Sequence, residues 1–157
     1  LVLSTLHTND AAGAIARLLD MGVEPYLVAS SLIGTVAQRL VRFNCPACKR
    51  PQPPDPDAVR EVGIPPETAA TATFLRGAKC EECGFTGYRG RGGVFEMLSV
   101  DDEVRRMITL RTSAVQIKQY AQANQGMRTL IADGRDKVLR GLTTIDEVLR
   151  VCQRDEL

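Results

Sequence analysis

The chain has 157 residues, enough for one domain or two small ones; 44% are hydrophobic but only 4% aromatic, so the core must be aliphatic. Twenty basic and 19 acidic side chains leave a formal charge of +1, which argues against a protein built to grip nucleic acid. No apolar run approaches the ~18–20 residues that span a bilayer, and no signal peptide is recognisable.

The chain opens inside an apolar run, Leu1-Val2-Leu3, and not on Met, as expected of a piece of a larger protein. Leu1 to Leu6 reads as a buried strand that turns polar at its end. His7-Thr8-Asn9-Asp10 follows, where α/β sheets place ligand-binding groups. Asn9 or Asp10 caps a predicted helix over 11–21, whose Ala11, Ala14, Ile15, Leu18 and Leu19 share one face. Gly22 suits its stop. Pro25 opens a second helix to about residue 32. Thr35–Phe43 reads as a strand with Gln38, Arg39 and Arg42 as polar positions. Residues 1–43 therefore look like the tail of an α/β domain.

The strongest chemical signal comes next. Cys45-Pro46-Ala47-Cys48 and Cys80-Glu81-Glu82-Cys83 are two CxxC turns with 31 residues between them. Each such turn aims two sulfurs into one concave space, and a pair completes a tetrahedron suited to Zn²⁺. Disulfides belong mainly to secreted, cysteine-dense chains, so these thiols suggest a reducing, cytoplasmic setting. A closed site of four thiolates has no open position for water, so its role is structural. The interval is long for a compact zinc ribbon, and the metal is expected to close the base of a projecting loop. That loop, 49–79, holds six of the eight prolines, which oppose long helices and central strands.

Five glycines crowd Gly84–Gly93, with Arg89 and Arg91 among them, and read as a turn packed close to the core. Val94–Leu98 reads as a short strand. Four helices follow: one from the acidic start at 101–103 to about 110, one from the capping box Ser113-x-x-Gln116 to about 123, one over about 128–140, and one from Thr144-x-x-Glu147 to about 150. These make a helical subdomain over 101–157. Cys152 reads as a spare thiol.

Four blocks in order resemble the ATPases that power type II secretion and type IV pilus assembly. Ser4-Thr5-Leu6-His7-Thr8-Asn9-Asp10-Ala11 resembles their "His box". Gln38-Arg39-Leu40-Val41-Arg42, running straight into the tetracysteine loop, is similar to the same family. So are Gly87-Tyr88-Arg89-Gly90-Arg91-Gly92-Gly93-Val94-Phe95-Glu96 and Gly141-x-Thr143-x-x-Asp146-Glu147-Val148. The loop is similar to that of secretion and pilus-extension members; retraction members generally lack it.

The resemblance implies the C-terminal part of a RecA-like ATPase core (1–43), a zinc-binding loop (44–84), a Gly-rich turn and strand (85–100) and the helical subdomain. It implies a homo-hexameric ring, peripheral on the cytoplasmic face of a bacterial inner membrane, hydrolysing ATP with Mg²⁺ to push subunits through a membrane platform. Catalytic roles fall to His7, orienting water or sensing nucleotide near the γ-phosphate, and to Arg39, offering a cation to developing charge. Thr5, Thr8 and Gln38 join the nucleotide-binding network; Cys45, Cys48, Cys80 and Cys83 hold the metal. No G-x-x-x-x-G-K-[ST] occurs, so the P-loop is expected upstream and the segment alone is expected to be inactive. Two other readings stand beside this one: a zinc-ribbon module binding nucleic acid, and a non-enzymatic interaction module whose proline-rich loop docks a partner.

Overall fold

A computed structural model describes residues 1–152. Most of the helices begin on a capping side chain or a proline. Helix α1 (Ala11–Asp20) starts at Asp10, whose carboxylate accepts the Gly13 N–H at 2.8 Å. Helix α2 (Pro25–Ser31) starts on its proline. Strand β1 (Gly34–Asn44) leads to the first cysteine turn. Within the loop lie β2 (Lys49–Pro51), the short helices α3 (Pro56–Glu61) and α4 (Pro66–Thr71), and β3 (Leu75–Gly77). Both helices begin on proline, where the missing N–H costs nothing. Strand β4 (Tyr88–Ser99) and helices α5 (Asp102–Thr109), α6 (Ala114–Asn124), α7 (Leu130–Leu139) and α8 (Ile145–Val151) complete the chain.

The result mixes helix and sheet, as the α/β reading requires at that level. Strands β1 and β4 form one two-stranded sheet. Strands β2 and β3 form another, antiparallel, with Lys49 opposite Gly77, Arg50 opposite Arg76 and Pro51 opposite Leu75. No helix among the described residues is long and apolar enough to cross a membrane.

Residues fall into two compact units, each discontinuous in sequence. Unit 1 gathers residues 1–38 and 95–129; unit 2 gathers 39–94 and the described residues from 130 onward. Strands β1 and β4 each give a segment to both. Unit 1 is closed by one aliphatic cluster that includes Ala11, Ile15, Val28, Leu98, Val104, Ile108, Ile117 and Ala121. Helix α5 packs on α2, and α6 on α1. Asp101 caps α5 through the Val104 N–H at 2.8 Å and also accepts from Tyr120 and Gln125. Burial pushes its carboxyl upward, but these donors outweigh that and hold it below the ordinary range. In unit 2, α7 packs on α8.

Two expectations are corrected. Leu1–Leu6 forms no strand: the segment is irregular, with Leu1, Val2 and Leu3 at 100%, 89% and 87% exposure. A strand needs a neighbour for its backbone groups, and no described strand pairs with this one. The glycine-rich stretch, by contrast, is not a turn from Tyr88 onward but the first half of β4. Its glycines admit a bulky partner: a β-carbon on Gly92 would overlap the Phe43 ring.

Candidate functional site

The two CxxC turns converge. Cys45 and Cys80 Sγ lie 3.9 Å apart, Cys48 and Cys83 4.0 Å, and Cys80 and Cys83 3.8 Å. All four Sγ atoms lie within 4.8 Å of one another. A tetrahedral thiolate site with Zn–S of ~2.3 Å has S···S edges of about 3.8 Å, whereas a disulfide sets sulfurs ~2.05 Å apart. The observed spacing fits a metal ion and not a bridge, and all four cysteines are free thiols.

Backbone geometry prepares the sulfurs. In the first turn the Cys48 and Lys49 N–H groups both point to the Cys45 carbonyl, at 3.3 and 2.9 Å. In the second, a short 3-10 turn over Glu81–Cys83 is followed by left-handed residues Gly84 and Phe85. Gly87 joins the two halves: its N–H donates to Cys83 Sγ at 3.2 Å, and its carbonyl accepts the Cys45 N–H at 3.0 Å. Its φ of +81° favours glycine at 87, and the overlap that a β-carbon on Gly77 would make with the Gly87 backbone requires glycine at 77. The Cys83 thiol feels burial pushing it up, but N–H donors from Gly87 and Cys80 prevail and bring it down to about 6. That favours the thiolate a metal needs. Below the cysteines, the β2–β3 ladder and the Gln52 N–H to Phe74 carbonyl bond at 3.0 Å close the base of the loop.

A second constellation in unit 2 was not legible from its motif. Glu147 is fully buried, with a side-chain exposure of 0%. Its carboxylate accepts from Arg42 N, Nε and Nη2 at 3.0, 3.0 and 2.7 Å, and from Arg150 Nε and Nη2 at 2.9 and 2.7 Å. Burial pushes this carboxyl up; the donors from Arg150 and Arg42 overcome it and hold it at about 2. The Arg42 guanidinium also lies 4.3 Å from the Tyr88 ring centroid, and the Tyr88 hydroxyl meets Thr144 Oγ1 at 2.8 Å. Arg42 is thus a polar strand position, as read from the sequence, with its side chain still 44% exposed and its guanidinium paired to a buried carboxylate. Thr144 caps α8 as its spacing suggests, accepting the Glu147 N–H at 3.3 Å, but the Glu147 carboxylate is spent on arginine.

Thr5 and His7 are exposed in the irregular segment before α1; Thr8 is half-buried, its hydroxyl donating to the Asp10 carbonyl at 3.1 Å. Gln38 is exposed and Arg39 half-buried, successive residues of β1 that point to opposite faces. Thr5, His7, Thr8 and Gln38 belong to unit 1, Arg39 to unit 2. In unit 1, Glu96 is as buried as Glu147. Its presence is readable in retrospect, because alternation along β4 puts it on the same face as Val94 and Leu98, both at 0% exposure.

A family profile described as "Type II/IV secretion system protein" matches residues 1–150. The chain belongs to that family. It is 49% identical over 149 residues to the type IV pilus assembly ATPase PilB of Thermus thermophilus, covering 95% of this chain and 17% of that protein. It is 47% identical over 155 residues to the type II secretion system protein E of Pseudomonas aeruginosa, covering 99% of this chain and 30% of that one. The PilB of Myxococcus xanthus is 43% identical over 150 residues, 95% of this chain and 26% of its own length. The chain thus spans less than a third of these relatives.

Proposed function

We propose that this chain is the C-terminal part of an ATPase that powers type II protein secretion or type IV pilus assembly. The observation that carries the reading is the near-complete coverage of the chain, at 47–49% identity, by a pilus assembly ATPase and a type II secretion protein E. The same coverage favours this over a stand-alone zinc-ribbon module. In this reading residues 1–43 complete a RecA-like nucleotide-binding core, 44–84 form the metal loop, and 85–157 supply the glycine-rich strand and the helical part. The whole protein works as a homo-hexamer, peripheral on the cytoplasmic face of the inner membrane, and engages the platform of the secretion or pilus machine.

The four cysteines would hold Zn²⁺, which when bound ties the two turns together and supplies no open coordination position. ATP binds with Mg²⁺. His7 orients the attacking water or senses the γ-phosphate, and Arg39 stabilises developing charge; Thr5, Thr8 and Gln38 complete the hydrogen-bonding network. Positioning and charge stabilisation dominate phosphoryl transfer, and groups at the mouth of α1 and on β1 can provide both. The test is ATP hydrolysis by the longer protein carrying His7→Ala or Arg39→Ala. Each substitution is expected to lower kcat by about 10²-fold. Wild-type turnover in both variants would overturn the catalytic assignment.

A further inference from the structure

We propose that Glu96 and Lys118 are positioning residues that hold the His7–Asp10 segment in its working place. The proposal rests on the nucleotide-facing role of His7 given above. Ala11 is the first residue of α1, and its N–H has no partner within the helix. Glu96 Oε1 accepts that N–H at 2.9 Å, from 85 residues away in sequence. Lys118 Nζ lies 3.5 Å from Glu96 Oε2 and 3.3 Å from Asp10 Oδ2. The Asp10 carboxylate meanwhile caps α1 through Gly13, and Thr35 Oγ1 donates to the Ala11 carbonyl at 2.8 Å. Strand β4, helix α6 and strand β1 thus all converge on two residues, Asp10 and Ala11.

His7 is three residues before Asp10, so a fully extended chain carries it no more than about 10 Å from that anchor. Thr8, between them, already folds back onto the Asp10 carbonyl at 3.1 Å. Fixing Asp10 and Ala11 therefore limits where the imidazole can go. Stability alone does not ask for a carboxylate at position 96. Its neighbours on that face, Val94 and Leu98, are apolar and fully buried, and replacing a buried ion pair with apolar side chains is often neutral or stabilising. A buried charge that breaks an apolar frame marks a functional position.

The test uses the longer protein with Glu96→Gln, Lys118→Met, Lys118→Arg and His7→Ala, each also checked by thermal melting. Glu96→Gln and Lys118→Met are expected to lower kcat by about 10-fold while KM for ATP stays within about 2-fold. Lys118→Arg should recover most of the loss. In a His7→Ala background the same substitutions should do little more, because they act through that residue. Should Glu96→Gln fail to fold, Lys118→Met carries the test, since its side chain is partly exposed. Unchanged kcat in both variants, with His7→Ala impaired, would sink the positioning role alone; so would a full-sized loss that persists without His7. Wild-type turnover in His7→Ala would sink the reading of His7 and this proposal with it.

Discussion

Each of the two units encloses a glutamate, and the two are held by opposite means. Glu147 in unit 2 is gripped by the side chains of two arginines. Glu96 in unit 1 accepts a backbone N–H from Ala11 and lies 3.5 Å from Lys118. Their settings differ in the same sense. Around Glu96 runs a continuous aliphatic cluster; unit 2 adds to its apolar residues a set of polar clips, namely four thiols, the arginine pair and the buried amide of Asn44, which donates to the Leu75 and Gly141 carbonyls. Most of unit 1 is held by area removed from water, which is indifferent to metal, alongside the Asp101 and Glu96 contacts already described. Unit 2 depends on specific partners, and removing one of them leaves the others exposed to the full cost of burial.

The sharpest way to break this contrast is to strip the metal ion that the four cysteines would hold. Binding at a structural zinc site is worth on the order of 10 kcal/mol, so a strong chelator should strip amide protection from residues 45–83 while leaving α1, α5 and α6 protected. Hydrogen exchange followed by mass spectrometry reads this directly; equal loss in both units would erase the distinction. Next in size is Glu147→Ala, which removes the shared acceptor of two partly exposed arginines, at the end of β1 and in α8, and should cost about 3 kcal/mol by urea unfolding. Leu98→Ala, in the aliphatic cluster, should cost about 3 kcal/mol and leave metal content unchanged, measured by zinc release with a colorimetric thiol reagent.

Acid sharpens the comparison more gently. Because the Glu147 carboxyl is held down at about 2 against 4.5 unfolded, its contribution is complete above pH 4.5 and drains as pH falls toward 2. Stability measured across that window should slope downward, and the slope should flatten in Glu147→Gln; an unaltered slope would assign the acid sensitivity elsewhere. The smallest effect is expected at Arg89, whose ion pair with Glu82 at 2.7 Å is exposed on both sides. Arg89→Ala should change stability by less than about 1 kcal/mol, within the error of the same urea titration.

The elements whose causes are local were legible in the sequence. The cysteine spacing, the caps at Asp10, Asp101, Ser113 and Thr144, and the proline opening α2 each act within a few residues, and the structure realises them; the short helices α3 and α4 are not read from the prolines that open them. What failed depends on distant partners. Leu1–Leu6 has a strand's composition but no described neighbour to pair with. The glycine-rich run reads as a turn because nothing near Gly92 in sequence announces the Phe43 ring that needs its space. Glu147 sits three residues after a threonine, the spacing of an exposed cap partner; besides Arg150 on its own helix, it is held by Arg42, 105 residues away, which its own sequence does not announce. Glu96 is the intermediate case, since its own strand's alternation points it inward.

The loop closed by the cysteines is anchored unevenly. Helix α3 buries Val59, contacts α8 and is followed by Gly63, whose carbonyl accepts from Arg135. Helix α4 buries nothing. With both ends of the insert fastened at the Gln52–Phe74 bond and the thiols beneath it, lengthening the α4 arm adds only loop entropy, about 0.6 kcal/mol per doubling. Evolution can therefore rewrite that arm as a replaceable cassette, and drift in its length between relatives would leave the clip beneath it untouched.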